Sequence, residues 1–222
     1  MSGFEGFPPE LFAFYEGLVE DNSKSYWDAH KSTWVGKVRE PMKALLAELE
    51  GDFLPLRMFR PNRDLRFAKD KSPYKLWVGG TSESTAVGGT GYYVHVEATG
   101  MVIGCGAMQM ASDQIKRFRA AIDDDRTGRD FEERAARLAA ESLPVSSGFE
   151  PPLKTMPRGF STEHPRAEFL RWKGAIVIKE YERADWMGTR EALDVVRGIW
   201  KGADPLKDWI DEYVAASVAK AR

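Results

Sequence analysis

The sequence predicts an α+β protein in which helices pack on a mostly antiparallel sheet with a central β-hairpin. Three observations indicate this fold class. Apolar residues recur at helical spacing near both ends of the chain, whereas alternating or β-branched runs cluster in its middle. No glycine-rich turn follows a strand and opens a helix, so a Rossmann or P-loop fold is not favoured.

Two helical stretches begin the chain, because apolar residues recur at the three- and four-residue spacing of one helix face. The first stripe consists of Leu11, Phe14, Tyr15 and Leu18. Ser23 is suited to be the N-cap of the second stretch. The second stripe consists of Trp27, Trp34, Val38, Met42, Leu45, Leu46 and Leu49. Pro41 interrupts it and predicts a kink there or two helices in sequence.

The middle of the chain predicts strands. Leu65 and Phe67 alternate with polar residues, which predicts a short strand over 62–68. Residues 81–91 are mostly Gly, Ser and Thr and predict a flexible loop. Residues 92–98 and 101–110 predict two paired strands joined at Thr99 and Gly100, and thus a hairpin.

The second half of the chain returns to helical spacing. Stripes around Phe118 and Phe131 predict two amphipathic helices, and residues 143–165, which contain five prolines, predict an irregular segment. The β-branched run 175–181 predicts a third strand of the same sheet. Residues 190–200 and 206–218 predict two final helices. The predicted core consists of Trp27, Trp34, Leu45, Phe67, Val94, Val96, Ile176 and Ile178.

Composition limits the class of protein. The 222 residues are 43% apolar and 30% charged, with 32 Lys and Arg against 34 Asp and Glu. This balance excludes a disordered chain and a wholly basic nucleic-acid coat. No apolar run reaches the roughly 18 residues that span a bilayer. The first twenty residues hold four glutamates and no Lys or Arg, unlike a secretory signal. We therefore expect one cytoplasmic domain over residues 1–222, with no membrane contact.

A basic segment, residues 57–75, stands out from the rest of the chain. It holds seven Arg and Lys residues but only two acids, Asp64 and Asp70, so its net charge is +5 in a chain of net charge −2. Clustered positive charge attracts anions, and Arg offers a planar fork for phosphate or carboxylate. The candidate ligand-binding residues are Arg63, Arg66, Lys69, Lys71, Tyr74 and Lys75 from this segment, and Arg158 from the proline-rich loop.

These residues favour the binding of an anionic small molecule, such as a phosphorylated or carboxylated metabolite, and leave catalysis open. In an enzyme, Asp64 or Asp70 would orient the cations or act as a base, and His164 would move a proton. We also expect Asp64 and Arg66 to pair with each other. The sequence identifies no cofactor and no oligomeric state.

Two alternatives remain. The same surface would suit a non-catalytic module for nucleic acid or an acidic protein, because aromatic residues on which bases could stack are interleaved with the cations. Those aromatic residues are Phe59, Phe67, Tyr74 and Trp77. Alternatively, the charges form a structural network of ion pairs that binds no ligand.

Cysteine and histidine offer weaker candidates. Cys105 would be a nucleophile only if a base such as His95 lowered its pKa, and small cysteines on strands are more often buried. A single cysteine excludes a disulfide framework or a cysteine-rich metal site. The three histidines have no metal-ligand spacing, so no metal site is predicted.

Residues 63–75 read R-D-L-R-F-A-K-D-K-S-P-Y-K. This block resembles the signature of an uncharacterised, mainly bacterial family known as a domain of unknown function. Further similar stretches lie in the same order at 22–27, 91–94, 104–106, 157–160 and 164–165. The resemblance covers nearly the whole chain and implies a single conserved domain. It implies no activity, substrate or cofactor.

Overall fold

The computed structural model describes residues 3–53, 55–66, 69–82 and 89–217. The α-helices are α1 (Pro9–Glu20), α2 (Lys24–Thr33), α3 (Glu40–Leu49), α4 (Ser112–Asp123), α5 (Asp125–Ala140), α6 (Ala167–Leu170) and α7 (Glu191–Tyr213). A π-helix, Trp34–Arg39, joins α2 to α3, and a 3₁₀-helix occupies Asp185–Gly188. The strands are β1 (Leu56–Met58), β2 (Trp77–Ser82), β3 (Gly91–Glu97), β4 (Gly100–Ala107), β5 (Val145–Ser146) and β6 (Ala175–Glu182).

The strands form one six-stranded antiparallel sheet in the order β1-β2-β3-β4-β6-β5, so the predicted α+β class is confirmed. The predicted hairpin is also confirmed as β3 and β4, and the third predicted strand as β6. Gly100 begins β4 with φ of +157°, and a Cβ there would lie 1.9 Å from the carbonyl oxygen of Tyr181. Glycine therefore allows β4 to start beside β6.

The predicted strand over 62–68 is wrong for the residues that the structure describes there. Only Asn62 forms an isolated bridge, with Tyr74, and 63–66 are irregular. The Asp64 carboxylate accepts the backbone N–H of Arg66, and such a local bond competes with a strand ladder. Phe67 lies outside the described residues, as does most of the predicted flexible loop 81–91, whose first two residues end β2.

The helical predictions are confirmed at the start of the chain and in α4 and α5. The Ser23 hydroxyl accepts the N–H of Tyr26 and caps α2 as expected. At the C-terminus the two predicted helices are one, α7, which continues through Pro205. Its apolar side chains, Leu193 and Trp209 among them, are buried on both sides of that proline, so packing outweighs the missing N–H.

The chain divides into two compact units. Unit 1 comprises Met1–Glu83, Tyr93–Ile103 and Glu180–Gly198. Unit 2 comprises Ser84–Tyr92, Gly104–Lys179 and Ile199–Arg222. The predicted single domain over the whole chain stays a prediction. Among the described helices, none combines the length and apolar composition that crossing a bilayer requires.

Each unit has its own apolar core. In unit 1, Trp27 packs against Phe14 and Trp34, with ring centroids 5.7 and 5.1 Å apart. In unit 2, Phe131 packs against Trp209 at 4.7 Å. The buried residues confirm the predictions for Trp27, Trp34, Leu45, Val94, Val96 and Ile176. Ile178 is only half-buried, because the buried part of β6 ends at Val177.

Candidate functional site: a basic loop beside an aromatic sheet face

Arg66 and Asp64 form a bidentate ion pair within the basic segment, which confirms the predicted pairing. Arg66 Nη2 lies 2.6 Å from Asp64 Oδ2, and Nε lies 3.0 Å from Oδ1. The Arg66 side chain nevertheless remains 78% exposed. Hydrogen bonds from Arg66 hold the pKa of the Asp64 carboxyl far below its usual range. Asp64 is therefore a carboxylate at neutral pH and has little affinity for a proton.

Asp70 organises a second part of the segment. Its carboxylate pairs with Arg63 and accepts both the N–H and the hydroxyl of Ser72, at 2.9 and 2.6 Å. These bonds hold the pKa of Asp70 far below its ordinary value. The ammonium of Lys71 donates to the carbonyl of Leu65 at 3.0 Å. Three predicted ligand-binding cations, Arg63, Arg66 and Lys71, thus have partners inside their own loop.

Lys75 occupies a different electrostatic environment. Its ammonium donates to the carbonyl oxygens of Arg60 and Asn62, at 2.7 and 2.6 Å, and lies 5.7 Å from the Trp77 ring centroid. Burial lowers the pKa of Lys75, and repulsion from Arg60 and Arg63 lowers it further. Two carbonyl oxygens therefore hold an ammonium that burial and two neighbouring arginines destabilise.

Tyr74 is placed in the packing of unit 1. The side chain is 8% exposed and stacks on Trp27, with centroids 4.1 Å apart and planes 10° apart. Burial raises the pKa of its hydroxyl. The side-chain amide of Asn22 makes two hydrogen bonds with the Tyr74 backbone. Its oxygen accepts the N–H, and its nitrogen donates to the carbonyl. Tyr74 therefore anchors the basic segment to the turn between α1 and α2.

Three further cations of the segment form no ion pair among the residues that the structure describes. Arg60 and Lys69 are exposed, and in the part of the chain that the structure describes their side chains make no hydrogen bond or ion pair. Arg57 lies on β1 with its guanidinium carbon 5.7 Å from the centroid of Phe59. We call Arg57, Arg60 and Lys75 the cationic rim.

The cationic rim borders four rings on one face of the sheet, here called the aromatic quartet: Phe59, Trp77, Tyr93 and His95. The centroid of Trp77 lies 5.3 Å from that of Phe59 and 5.2 Å from that of His95. The centroid of Tyr93 lies 5.4 Å from that of His95 and 6.0 Å from that of Phe59. The rings surround Gly79, which pairs with His95 and accepts the N–H of Phe59 at its carbonyl.

Gly79 makes this arrangement possible. A Cβ at that position would lie 2.4 Å from the carbonyl oxygen of Val94 and 2.7 Å from the Cβ of His95. The glycine therefore lets β2 and β3 approach closely and leaves the centre of the face to the surrounding rings.

His95 is the titratable member of the quartet. Its Nε2 lies 3.7 Å from Glu97 Oε2, while its buried Nδ1 has no hydrogen-bond partner. Burial lowers the pKa of His95, and Glu97 only partly opposes that effect. The same surroundings raise the pKa of Tyr93 to about 12. The quartet is therefore uncharged at neutral pH, in contrast to the cationic rim.

The sequence prediction included Phe59 and Trp77 as stacking candidates but not Tyr93. It considered His95 as a partner of Cys105 and as a metal ligand, but not as part of an aromatic surface. The missed signal is the alternation in β3, where Tyr92, Val94 and Val96 are buried and the residues between them are half-buried. Period-two alternation on a strand places Tyr93, His95 and Glu97 together on the opposite face.

Two remaining candidates, Arg158 and His164, belong to unit 2. Arg158 is exposed in the proline-rich loop. His164 uses both ring nitrogens: Nδ1 accepts the N–H of Arg166 at 3.0 Å, and Nε2 lies 3.2 Å from Asp123 Oδ1. The buried Arg166 then donates to the carbonyls of Ile122 and Asp123 at the end of α4. His164 thus helps to hold the proline-rich loop against the end of α4.

Cys105 lacks the environment of a nucleophile. It is fully buried, and burial raises the pKa of its thiol well above the ordinary value. The charged groups nearest to it in unit 2 are mostly acids of α7, including Asp204 and Asp208, which favour the neutral thiol. Among the residues that the structure describes, no group of His, Cys, Asp and Glu is arranged to hold a metal ion.

A cavity of about 530 Å³ in unit 1 has the wrong charge for an anion. It lies between the N-terminal segment and α3, and its described walls carry three acids, Glu5, Glu40 and Glu48, beside the cation Lys43. Arg190 and the N–H of Phe4 bind Glu48 and hold its pKa at about 2. This cavity does not supply the surface that the basic segment predicts.

The fold and the site together define an α+β protein with a cationic, aromatic surface on one of its two units. The sequence matches the family described as conserved hypothetical protein (DUF2461) over residues 10–209. The chain belongs to that family, so the predicted membership of a family of unknown function is confirmed. No curated protein matches the chain.

Proposed function

We propose that the chain binds a small anionic ligand, carrying a phosphate or a carboxylate, at the cationic rim. The observation that carries this proposal is the position of Lys75, whose ammonium is held by carbonyl oxygens and repelled by neighbouring arginines. An anion would relieve that repulsion, and focused positive potential raises the local concentration of anions.

The alternative of a purely structural network accounts for part of the segment. Arg63, Arg66 and Lys71 are occupied by Asp70, Asp64 and the carbonyl of Leu65. That network leaves Arg57 and Arg60 without an ion pair among the described residues, although Arg60 contributes to the lowered pKa of Asp64. The pairs therefore shape the loop, and the rim is the part of it that fits a ligand.

Catalysis by this loop has little support. Asp64 and Asp70 have lowered pKa values and are fixed by hydrogen bonds, which suits orientation of cations better than proton abstraction. Binding, with the acids as positioning groups, is the function that the geometry favours.

Thermal unfolding in inorganic phosphate or pyrophosphate, against chloride at equal ionic strength, tests the proposal. Binding to the native state alone stabilises by about 2.7 kcal/mol at a hundredfold excess over Kd. For a chain of this size, each kcal/mol raises Tm by roughly 2–4 °C. Arg60→Ala should lose this gain in Tm. In the absence of phosphate its Tm should equal that of the wild type.

The control is Arg137→Ala, which removes an exposed arginine from α5 in unit 2 and should retain the full gain. Lys75→Ala is a poorer test because Lys75 also holds two backbone carbonyls of the loop. If neither anion raises Tm, the structural network is the better account of the basic segment.

A further inference from the structure

The aromatic quartet is a partly exposed cluster of rings on one face of the sheet. Phe59, Trp77 and Tyr93 are half-buried, whereas Val78 and Val94, on the other face of the same strands, are buried. The quartet therefore keeps part of its ring surface accessible. Aromatic side chains on a sheet face stack nucleobases without regard to sequence, because every base has a π-face.

The cationic rim lies directly beside these rings. The Lys75 ammonium and the Arg57 guanidinium each lie 5.7 Å from a ring centroid, of Trp77 and Phe59 respectively. Arg60 follows Phe59 in the chain, and its carbonyl binds Lys75. A ligand in which one phosphate and one aromatic ring are joined by a short link would meet both surfaces at once.

The opposite edge of the quartet disfavours a longer polyanion. Glu97 pairs with Trp77 in the sheet register, and its carboxylate is 40% exposed. A second phosphate continuing across the quartet would approach this carboxylate and be repelled. The rim cations lie on β1 and in the loop before β2, whereas this acid lies on β3, which suits a ligand with a single phosphate.

We infer that the ligand of the proposed anion site is a mononucleotide, whose base stacks on the aromatic quartet while its phosphate contacts the cationic rim. This inference rests on the proposed function. It adds the ring as the second recognised part of the ligand.

Calorimetric titrations at fixed ionic strength test it with four kinds of probe. These are inorganic phosphate, ribose 5-phosphate, the four common nucleoside 5′-monophosphates, and a single-stranded deoxythymidine oligomer. We expect at least one monophosphate to bind about tenfold or more tightly than ribose 5-phosphate, which is the effect of one base–aromatic stack.

Trp77→Leu and Phe59→Leu keep an apolar side chain but remove a flat ring. Each should reduce the affinity for the monophosphate more than the affinity for ribose 5-phosphate, so that the ratio of the two affinities falls towards one. The control, Phe149→Leu, removes a ring that is 67% exposed in unit 2 and should have no effect. The comparison of probes on the wild type stands even if Trp77→Leu does not fold.

The outcomes separate the two proposals. Equal binding of phosphate, ribose 5-phosphate and all monophosphates would overturn the nucleotide inference and leave the anion site intact. Much tighter binding of the oligomer, with an affinity that falls steeply when the titration is repeated at higher salt, would overturn it in favour of single-stranded nucleic acid. If no probe binds, the proposed anion site fails, and the nucleotide inference fails with it.

Discussion

The side-chain amide of Asn22 makes two hydrogen bonds with the backbone of Tyr74, 52 residues away in the sequence. Its oxygen accepts the Tyr74 N–H at 3.1 Å, and its nitrogen donates to the Tyr74 carbonyl at 3.0 Å. An amide side chain thereby pairs with the loop as a neighbouring strand would. This contact fixes the end of the basic segment, just before Lys75 and Trp77.

Asn22→Ala should destabilise the protein by about 1–3 kcal/mol, because two backbone groups in a partly buried place lose their partner. Urea unfolding measures the change. Lys31→Ala, at an exposed position of α2, is the control and should stay within about 0.5 kcal/mol of wild type. Equal midpoints for Asn22→Ala and wild type would show that the Tyr74 backbone finds other partners.

Arg66→Ala should leave stability unchanged, although Arg66 and Asp64 form two short hydrogen bonds. The pair is exposed, and water and salt replace its attraction at little cost. The measurement is the urea midpoint at low and at high salt, which should match wild type in both. A large loss would mean that this ion pair holds the loop together.

Arg166→Ala should have a large effect by contrast. Arg166 is 3% exposed and donates to the carbonyls of Ile122 and Asp123, the first at 2.6 Å. Loss of its side chain leaves these carbonyls without that donor and opens a gap beside Gly128. The free energy of unfolding should therefore fall by about 3 kcal/mol. Urea unfolding of the whole chain, followed by tryptophan fluorescence, reports the change. Arg137→Ala is the exposed control, and equal losses in the two variants would contradict the assignment.

His95→Phe should remove part of the acid sensitivity of the fold. Burial lowers the pKa of His95 below its ordinary value of 6.5, so near pH 6 the unfolded chain binds more protons than the folded one. Stability therefore rises with pH in this range and falls as the pH drops below about 6.5. Urea midpoints at pH 7.5 and 5.5 should differ less in the variant than in the wild type.

His30→Gln, at an exposed histidine of α2, serves as the control for that experiment and should keep the wild-type difference. If the urea midpoints at pH 7.5 and 5.5 differ as much in His95→Phe as in the wild type, another group causes the loss of stability in this pH range. The facing charged group is Glu97, so Glu97→Gln in the same assay separates its contribution.

The helices were predictable because their apolar stripes are long and regular, as in α1 and in the run from Trp27 to Leu49. Strand β2 was not, because Gly79 and Gly80 lower its strand propensity and hide the alternation. Both glycines are required by contacts that only the fold creates: a Cβ at Gly80 would lie 2.5 Å from the side chain of Leu46.

The candidate site was predictable in location but not in detail. The charge count identified residues 57–75, and the pairing of Asp64 with Arg66 follows from their spacing. Which cations remain available depends on carbonyls and acids brought together by the loop, as at Lys75. The aromatic quartet combines Phe59, which follows β1, with rings on β2 and β3, and only the register of the sheet reveals it.

The π-helix between α2 and α3 should allow this helical stretch to tolerate the deletion of one residue. The N–H of Glu40 bonds to the carbonyl of Val35, five residues back, so the wide turn holds one residue more than an α-turn. Nothing lies within 4 Å of a Cβ placed on Gly36. Deletion of Gly36 would convert the segment to regular α-helix and keep Trp27 and Met42 on the same face of the helix. The same deletion inside α3 would turn every later residue by roughly 100° and carry its leucines out of the core.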